Sequence, residues 1–343
     1  PDGRHVYFAS RDGWVSKFDI YNLKTVAEVR VGINTRNIAI SSDGRYLMAA
    51  NYLPNNLVLL DTQDLSPIKM IDVKDKNGKT SRVSAVYNAP PRNSFIAALK
   101  DIEEVWEINY QDAPPAGFVG WEHDYNKVSG DVVTPAPFPI RKIKVSALLD
   151  DFFFNQDYSL LFGASRKGDG IVLSLDARKE IGSLNVPGMP HLGSGITWEY
   201  KGRDVMATPN LKEGKVTIID MDTWEVVKHI ETKGPGFFMR SHEKTPYAWV
   251  DVFFGPNKDL MHVIDKSTLE IVKTLKPVPG KTAAHIEFTK DGRYALMSIW
   301  DKEGALIIYD AQTLEEVKRI PMSKPSGKYN VYNKTSYSRG TSH

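Results

Sequence analysis

The sequence predicts an all-β fold of the β-propeller class, on three observations. A short unit recurs along the chain, in which a turn, a hydrophobic strand, a second turn and another strand follow one another. No stretch shows a sustained helical period. The second strands of the unit also end 42, 48, 67, 44, 45 and 45 residues apart, and five of these six intervals fall within the about 40–50 residues of a propeller blade. The residues at these ends are Asp19, Asp61, Asn109, Asp176, Asp220, Asp265 and Asp310.

The turns and strands of the unit have the composition that this fold requires. Opening turns such as Ser42–Arg45 and Lys290–Arg293 contain the Asp-Gly pair that reverses a chain. The strands are short apolar runs rich in branched side chains and are bounded by Gly, Asn or Asp, as in Leu57–Leu60, Val216–Ile219 and Leu306–Tyr309. This pattern is typical of strands buried in stacked sheets.

The number of blades follows from counting the units. Seven units are visible, and the stretch after Ile320 has no matching third strand downstream. We therefore expect an eight-bladed propeller over residues 1–343, whose eighth blade is completed by residues that precede Pro1. The longest interval contains an insertion of about 23 residues within Gln111–Lys142. Because this insertion is rich in Pro and Gly, it is either a functional lid or a disordered loop.

Composition excludes several classes of function. The 343 residues hold 44 Lys and Arg against 42 Asp and Glu, so no basic excess indicates binding to nucleic acid. Cysteine is absent, which excludes zinc fingers, iron–sulfur ligation, a thiol nucleophile, disulfides and a Cys-x-x-Cys-His haem attachment within these residues. No apolar run approaches the roughly 18 residues of a membrane span. Since the chain opens directly on a turn, we expect it to be part of a longer protein.

Three histidines are placed where units begin. His191 lies in the glycine-rich loop 187–195, and His242 and His285 lie close to the first strands of successive units. Each alone is explained by a hydrogen-bonded structural histidine. Together they point to the mouth of a central channel, where imidazole acts as an iron ligand or a proton carrier.

Three arginines occupy similar positions. Arg36, Arg82 and Arg240 precede or open inner strands, and three guanidinium groups at one mouth would bind carboxylates in bidentate fashion. A surface role explains each one equally well when taken singly. The aromatic runs 150–154 and 247–254 either line a flat apolar ligand or belong to the core.

Four motifs carry a resemblance to a known family. They are Val31–Arg36, Asn51–Pro54, Gly188–Gly195 and Pro325–Asn333. Over essentially its whole length the chain resembles the haem d1-binding propellers, a family shared by cytochrome cd1 nitrite reductase and its biosynthetic relatives. The resemblance implies a haem d1-type tetrapyrrole with its iron, a periplasmic location and a role in denitrification.

The resemblance also implies which reaction to expect. Where the nitrite reductase has two active-site histidines, this chain has Asp150 and Asn210. The pattern is closer to the family members that oxidise a propionate side chain of dihydro-haem d1 to an acrylate, the last step of haem d1 biosynthesis. Removal of two hydrogens from adjacent carbons needs a base, and histidine suits that role near neutral pH. The electrons can leave through the macrocycle, so neither nicotinamide nor flavin is required.

By the same resemblance, individual residues receive roles. His191 is the expected distal iron ligand, and His285 with Tyr329 is the expected catalytic pair beside the propionate. The expected cofactor-binding residues are Arg36, Arg82, Arg240 and His242.

The resemblance implies further parts and partners. A proximal histidine and a cytochrome c domain with haem c are expected upstream of Pro1. Expected partners are cytochrome cd1 nitrite reductase and a haem d1 assembly protein. Three alternatives stay open: a non-catalytic haem d1 carrier or assembly protein, a propeller that serves as a protein-interaction platform, and a cd1-type nitrite reductase propeller.

Overall fold

The computed structural model describes residues 2–115, 118, 137–186 and 188–326. Over these residues the chain forms antiparallel sheets in which strands that are consecutive in sequence pair with one another. The first sheet has three strands and each of the others has four. The predicted all-β class is confirmed.

The first three sheets use strands β1 to β11. The first contains β1 (His5–Ala9), β2 (Trp14–Asp19) and β3 (Lys24–Arg30). The second contains β4 (Asn34–Ile40), β5 (Tyr46–Leu53), β6 (Asn56–Asp61) and β7 (Pro67–Asp72). The third contains β8 (Val83–Ala89), β9 (Ser94–Leu99), β10 (Glu104–Asn109) and β11 (Ile140–Lys144).

The other four sheets use β12 to β27. The fourth contains β12 (Asp151–Phe154), β13 (Leu160–Ala164), β14 (Asp169–Ser174) and β15 (Lys179–Asn185), and the fifth contains β16 (Ile196–Tyr200), β17 (Arg203–Pro209), β18 (Lys215–Asp220) and β19 (Val226–Glu231). The sixth contains β20 (Met239–Ser241), β21 (Tyr247–Asp251), β22 (Met261–Asp265) and β23 (Glu270–Leu275). The seventh contains β24 (Thr282–Phe288), β25 (Tyr294–Trp300), β26 (Ala305–Asp310) and β27 (Glu316–Pro321). Two 3-10 turns, Pro90–Arg92 and Leu192–Ser194, complete the regular structure of the described residues.

The expectation of eight blades is wrong, because the described residues form the seven blades of a β-propeller. Counting from the Asp-Gly turns placed each blade boundary one strand too late. The strand before such a turn pairs with the strand after it, as Ala39 of β4 pairs with Met48 of β5. The last sheet is therefore already complete, with β27 paired to β26, and leaves no surplus unit after Ile320.

The recurring aspartate has a structural reason. Oδ1 of Asp310 accepts the backbone N–H groups of Gln312 and Thr313 at 2.9 Å each, and Oδ1 of Asp220 holds Asp222 and Thr223 in the same way. Each such aspartate begins a turn whose fifth residue has a left-handed backbone with a positive φ. The fifth residues are Leu23, Leu65, Trp224, Leu269 and Leu314, with φ of 51°, 64°, 59°, 57° and 61°.

The chain divides into two compact units. The first contains residues 1–150, 156–161 and 173–180, and the second contains the remainder. In the first unit a hydrophobic core surrounds Trp106, Phe95 and Tyr110. In the second, one core contains Trp249 and Phe288 and others lie around Trp198 and Phe162.

The central strands supply these cores. All six residues of β9 are buried, and so are the first five of β6, whereas the outer strand β27 is mostly exposed. This agrees with the short apolar runs from which buried strands were predicted. Most of the 111–142 insertion lies outside the described residues, and its role as a lid or loop stays a prediction. Within the described ranges, no helix is long and apolar enough to cross a membrane.

Candidate functional site

Three first strands are interrupted by a β-bulge near the candidate residues. In β4, Thr35 pairs with Asn51 and Asn37 pairs with the next residue, Ala50, so Arg36 is the extra residue. Strand β8 has the same irregularity at Ser84. In β24 the pairing is broken between Ala284 and Glu287, at His285. Because a bulge redirects a side chain out of the regular alternation, it explains how a strand residue can serve a site.

In the first unit, Arg36 and Arg82 come together on one aromatic ring. The guanidinium carbons of Arg36 and Arg82 lie 4.5 Å and 5.4 Å from the centre of the Tyr52 ring. The ammonium nitrogen of Lys100 lies 5.6 Å from the same centre. We call these four residues the Tyr52 cluster. Three cations around one ring form a compact positive site of the kind that binds carboxylates.

The cations of the Tyr52 cluster differ in how far they are neutralised. Arg82 makes a bidentate ion pair with Asp101 at 2.6 Å and 2.9 Å, and this pairing raises the pKa of Arg82. Lys100 pairs with Asp150. Arg36 is exposed and has no carboxylate partner among the described residues. Arg36 is therefore the cation that is best placed to take a ligand carboxylate.

In the second unit, one hydrogen bond fixes the state of the His191 ring. Nδ1 of His191 lies 2.6 Å from the carbonyl oxygen of Phe237, and the two rings stack at 4.4 Å with an angle of 4° between their planes. Because a carbonyl only accepts, Nδ1 must carry the proton and donate it. A neutral ring then has its lone pair on Nε2, which is the form that binds a metal.

His285 joins the same aromatic cluster from β24. It is 1% exposed, has a left-handed backbone with φ of 56°, and lies 4.4 Å from the ring of Phe238. Phe238 also contacts Phe237 and Trp300. A left-handed backbone is costly for a residue other than glycine and is concentrated at functional sites. The histidine cluster is defined as His191, Phe237, Phe238, Phe253, Trp300 and His285.

A buried acid lies beneath the histidine cluster. Asp251 is fully buried, and burial raises its pKa to about 7, although hydrogen bonds from the backbone of Phe237, Phe238 and His285 lower it. Arg240 is 6% exposed, and its Nε lies 3.7 Å from Oε2 of Glu287. Arg240 is thus buried with an acidic partner, unlike the exposed Arg36.

His242 lies away from the histidine cluster. It follows the last residue of β20, whereas Phe238, which contacts His285, precedes the first. The ring of His242 is fully buried against Gly292, and its Nδ1 accepts the backbone N–H of Lys244 at 3.1 Å. Burial lowers the pKa of His242. The structure therefore does not bring this predicted cofactor-binding residue to His191 and His285.

Asp150 and Asn210 have structural partners. Asp150 pairs with Lys100, as described above. Oδ1 of Asn210 accepts the backbone N–H groups of Lys212 and Glu213 at 2.9 Å each and packs against Gly188. Asp150 thus forms an ion pair, and Asn210 stabilises a backbone turn. Tyr329, the predicted partner of His285, lies outside the described residues.

The donor set fits an iron tetrapyrrole. Within the described ranges, no group of three or more His, Cys, Asp or Glu side chains is placed to hold a metal ion. A macrocycle supplies the equatorial nitrogens itself and needs only axial ligands, and Nε2 of His191 would suit that role. The exposed Arg36 would suit the carboxylates of such a ligand.

The sequence as a whole matches the family model described as the cytochrome D1 heme domain, over residues 1–334. The chain belongs to that family. It is 54% identical to the dihydro-heme d1 dehydrogenase of Pseudomonas aeruginosa, over all of this chain and 65% of that protein. It is 27% identical to protein NirF of Stutzerimonas stutzeri, over 95% of this chain and 80% of that one. The resemblance predicted from the motifs is confirmed.

A solved structure of this family supports the fold. Dihydro-heme d1 dehydrogenase NirN in complex with DHE superposes with a TM-score of 0.88 and 54% identity, covering 98% of this chain and 67% of that one. The chain thus spans about two thirds of the length of the two proteins that it matches at 54% identity.

Sequence reasoning missed Lys100, Asp251 and the Phe237–Phe238 pair. Lys100 and Asp251 carried a weak signal, because each is a charged residue at the end of a buried strand. The phenylalanines read as ordinary core residues, and only their contacts with two histidines distinguish them.

Proposed function

We propose that this protein oxidises a propionate side chain of dihydro-haem d1 to an acrylate and so produces haem d1. The observation that carries the proposal is the histidine cluster, in which His191 and the buried His285 contact adjacent phenylalanines. The 54% identical relative is named for this activity, and its solved structure is a complex with DHE.

The chemistry requires the loss of two protons and two electrons from the CH₂–CH₂ unit of the propionate. His285 accepts one proton, and Tyr329, outside the described residues, is the proposed relay for the other. The macrocycle and its iron pass the two electrons to an electron acceptor outside this chain.

We propose that Arg36 and Arg82 of the Tyr52 cluster bind carboxylates. We propose separately that His191 is an iron ligand through Nε2. The buried ion pair of Arg240 with Glu287 supports the histidine cluster from within β20 and β24. We propose a periplasmic location and, as partners, a cytochrome cd1 nitrite reductase and a haem d1 assembly protein. A cytochrome c domain as the source of the acceptor stays a prediction.

The test is a comparison of variants. Purified protein that is given dihydro-haem d1 and a one-electron acceptor is expected to form the acrylate product, followed by its absorption spectrum and mass. His285→Ala should lose at least about 10²-fold in rate, the usual contribution of a general base. His229→Ala, on an exposed position of β19, is the matched control. An unchanged rate in His285→Ala would remove His285 from the mechanism, and binding without turnover in the unsubstituted protein would indicate a carrier.

The role of His191 is tested separately. His191→Ala should bind the tetrapyrrole but shift the absorption bands of the bound iron, because one axial ligand is lost. The same shift in His229→Ala would show that the change does not report ligation by His191.

A further inference from the structure

Asp251 accepts hydrogen bonds from the backbone of residues 237 and 238, which lie just before β20. Residues 237 and 238 precede the first residue of β20, so their N–H groups are outside the sheet ladder. Oδ1 of Asp251 accepts both, at 2.7 Å from the nitrogen of Phe237 and 3.1 Å from that of Phe238. The backbone N–H of Asp251 in turn donates to the carbonyl of Phe238 at 3.2 Å. A buried backbone N–H without an acceptor costs folding free energy, and the Asp251 carboxylate removes this cost for both N–H groups.

The two residues that Asp251 holds are the ones that contact the two histidines. The carbonyl of Phe237 accepts the hydrogen bond from His191, and its ring stacks on the imidazole. The ring of Phe238 contacts His285. Phe238 also contacts Trp300 and Phe253. A shift of this dipeptide would therefore move both histidine contacts together.

The flanking residues do not fix the segment by themselves. Gly234 has φ of 155°, and Gly236 has no room for a side chain, since a Cβ there would lie 2.9 Å from the carbonyl oxygen of Asp251. Glycine leaves the backbone many alternatives. Backbone hydrogen bonds from Gly236 to the Asn210 carbonyl at 3.1 Å and from Phe254 to the Pro235 carbonyl at 3.2 Å fix the segment up to residue 236, and the two bonds to Asp251 fix residues 237 and 238.

We infer that Asp251 is a positioning residue, which sets the placement of His191 and His285 together by fixing the Phe237–Phe238 backbone. The inference deepens the proposed function and rests on it for the meaning of the two histidines. It assigns no proton transfer to Asp251. Asp251 is fully buried, and besides the two amides of the dipeptide it receives a hydrogen bond from the backbone of His285, so it acts on the site through these three backbone groups.

The variants separate a hydrogen-bonding role from simple filling of space. Asp251→Asn keeps the size and an acceptor oxygen, whereas Asp251→Ala removes the acceptor. The matched control is Asp259→Ala, because Asp259 is 5% exposed and its carboxylate accepts the backbone N–H of Gly280 at 2.6 Å in a different loop of the same unit. Phe238→Leu leaves the bonds to Asp251 and the hydrogen bond from His191 to the Phe237 carbonyl in place, and removes the ring that contacts His285 at 4.4 Å and His191 at 6.3 Å.

Two measurements use the ligand-free protein. The first is hydrogen–deuterium exchange of the peptide that contains residues 237 and 238, and the second is the ¹⁵N NMR signature of the His191 imidazole. Asp251→Ala should increase exchange about tenfold, as expected for the loss of one or two hydrogen bonds, and should weaken the Nδ1–H signature of His191. Asp251→Asn should restore both, and Asp259→Ala should change neither.

Dihydro-haem d1 turnover provides the third measurement. Asp251→Ala should lower kcat about tenfold with little change in KM, because the Tyr52 cluster that binds the carboxylates is untouched. Phe238→Leu should lower kcat while leaving the His191 signature unchanged, and it serves as the test if Asp251→Ala does not fold.

Three results would overturn the inference. They are an unchanged His191 signature in Asp251→Ala, the same losses in Asp259→Ala, and an Asp251→Asn variant as impaired as the alanine variant. For Phe238→Leu alone, full activity would do so. If the unsubstituted protein formed no acrylate, the proposed function would fail, while exchange and NMR would still decide the role of Asp251.

Discussion

The hydrogen bond between His191 and Phe237 shows how much one contact decides at the scale of a residue. Sequence reasoning named His191 as an iron ligand, but imidazole has two nitrogens and either can bind a metal. The 2.6 Å contact to the Phe237 carbonyl places the proton on Nδ1, so that in the neutral ring the lone pair lies on Nε2. The carbonyl that decides this is 46 residues away in the chain.

The lowered pKa of the buried His262 predicts how the free energy of unfolding depends on pH. It is buried in β22, with Nδ1 2.8 Å from Oγ1 of Thr274 and Nε2 accepting the backbone N–H of Lys233, and burial lowers its pKa from 6.5 to about 4. Below pH 6.5 the unfolded chain takes up the proton before the folded one. We therefore expect stability that is fully present above pH 6.5 and lost as the pH falls toward 4, by about 3 kcal/mol.

Urea unfolding between pH 4 and 7.5 measures this loss. His262→Gln should be less stable at pH 7 and should show a flatter acid limb, because the titrating group is gone. His229→Gln, exposed on β19, should retain the full acid limb. An equally steep limb in His262→Gln would assign the pH dependence to other groups.

At the scale of an element, turns that look alike in sequence differ in what they contact. Gly292 and Gly202 occupy matching turns with left-handed backbones, at φ of 71° and 79°. A Cβ at Gly292 would lie 2.3 Å from Nδ1 of the buried His242, whereas a Cβ at Gly202 would have nothing within 4 Å. The same substitution should therefore have different costs at the two turns.

Gly202→Ala should destabilise the protein by about 1 kcal/mol, the cost of a left-handed backbone. Gly292→Ala should cost about 1–3 kcal/mol more, because the methyl group must displace a packed ring. Midpoints of urea unfolding compare the two variants. Equal losses would mean that the ring of His242 moves aside without cost.

A buried ion-pair network joins β10 and β11. Glu107 is 1% exposed and accepts hydrogen bonds from Arg92, which precedes the 111–142 segment, at 2.9 Å and from Arg141, near the end of that segment, at 2.8 Å. Burial lowers the pKa of Arg141. The network therefore ties the strand that leads into the insertion to the strand that leaves it.

Glu107→Gln should destabilise the protein by about 3 kcal/mol, since it leaves the largely buried Arg141 without its carboxylate and Arg92 with only its more exposed partner Asp176. Asp112→Asn is the contrasting variant, because Asp112 is exposed and pairs with the exposed Arg45, and we expect less than about 1 kcal/mol there. Urea unfolding at pH 7 measures both. A loss at Glu107 no larger than that at Asp112 would contradict a supporting role for the network.

At the scale of the whole molecule, the composition limits the redox chemistry. The chain has no cysteine, so a covalently attached haem c has no attachment site within these 343 residues. The proposed oxidation releases two electrons for each acrylate. We therefore expect the 343-residue protein to bind dihydro-haem d1 without an acceptor and to turn it over only when one is added.

Anaerobic titration tests this expectation. Tetrapyrrole binding is followed first, and a one-electron acceptor is then added, with two equivalents expected for each acrylate formed. Free dihydro-haem d1 with the acceptor alone is the control. Full conversion without an acceptor would mean that the electrons remain within the protein and its ligand.

Local patterns predicted most of the fold. The alternation of turns and apolar strands predicted the all-β class and the positions of buried strands such as β6. The number of blades was not local information, because it depends on which neighbour each strand pairs with. Because β4 pairs with β5 across the Ser42–Arg45 turn, each blade begins one strand earlier than the turns alone had predicted.

The candidate site was predicted in part. Arg36 and Arg82 were named together, and the structure brings them together on Tyr52. Arg240 was named with them, yet it is buried beside Glu287, and His242 lies at the far end of β20 from His285. Position relative to a strand predicts which blade a residue enters, but bulges and buried partners decide where its side chain goes.

Composition, period and motif were sufficient to predict the all-β class, the family and the residue types available for chemistry. The number of blades, the tautomer of His191, the contact of His285 with Phe238 and the position of Asp251 next to the Phe237 backbone depend on the tertiary structure. The reason is physical. Period and propensity act over a few neighbouring residues, whereas hydrogen-bond partners and burial arise only when distant strands pack together.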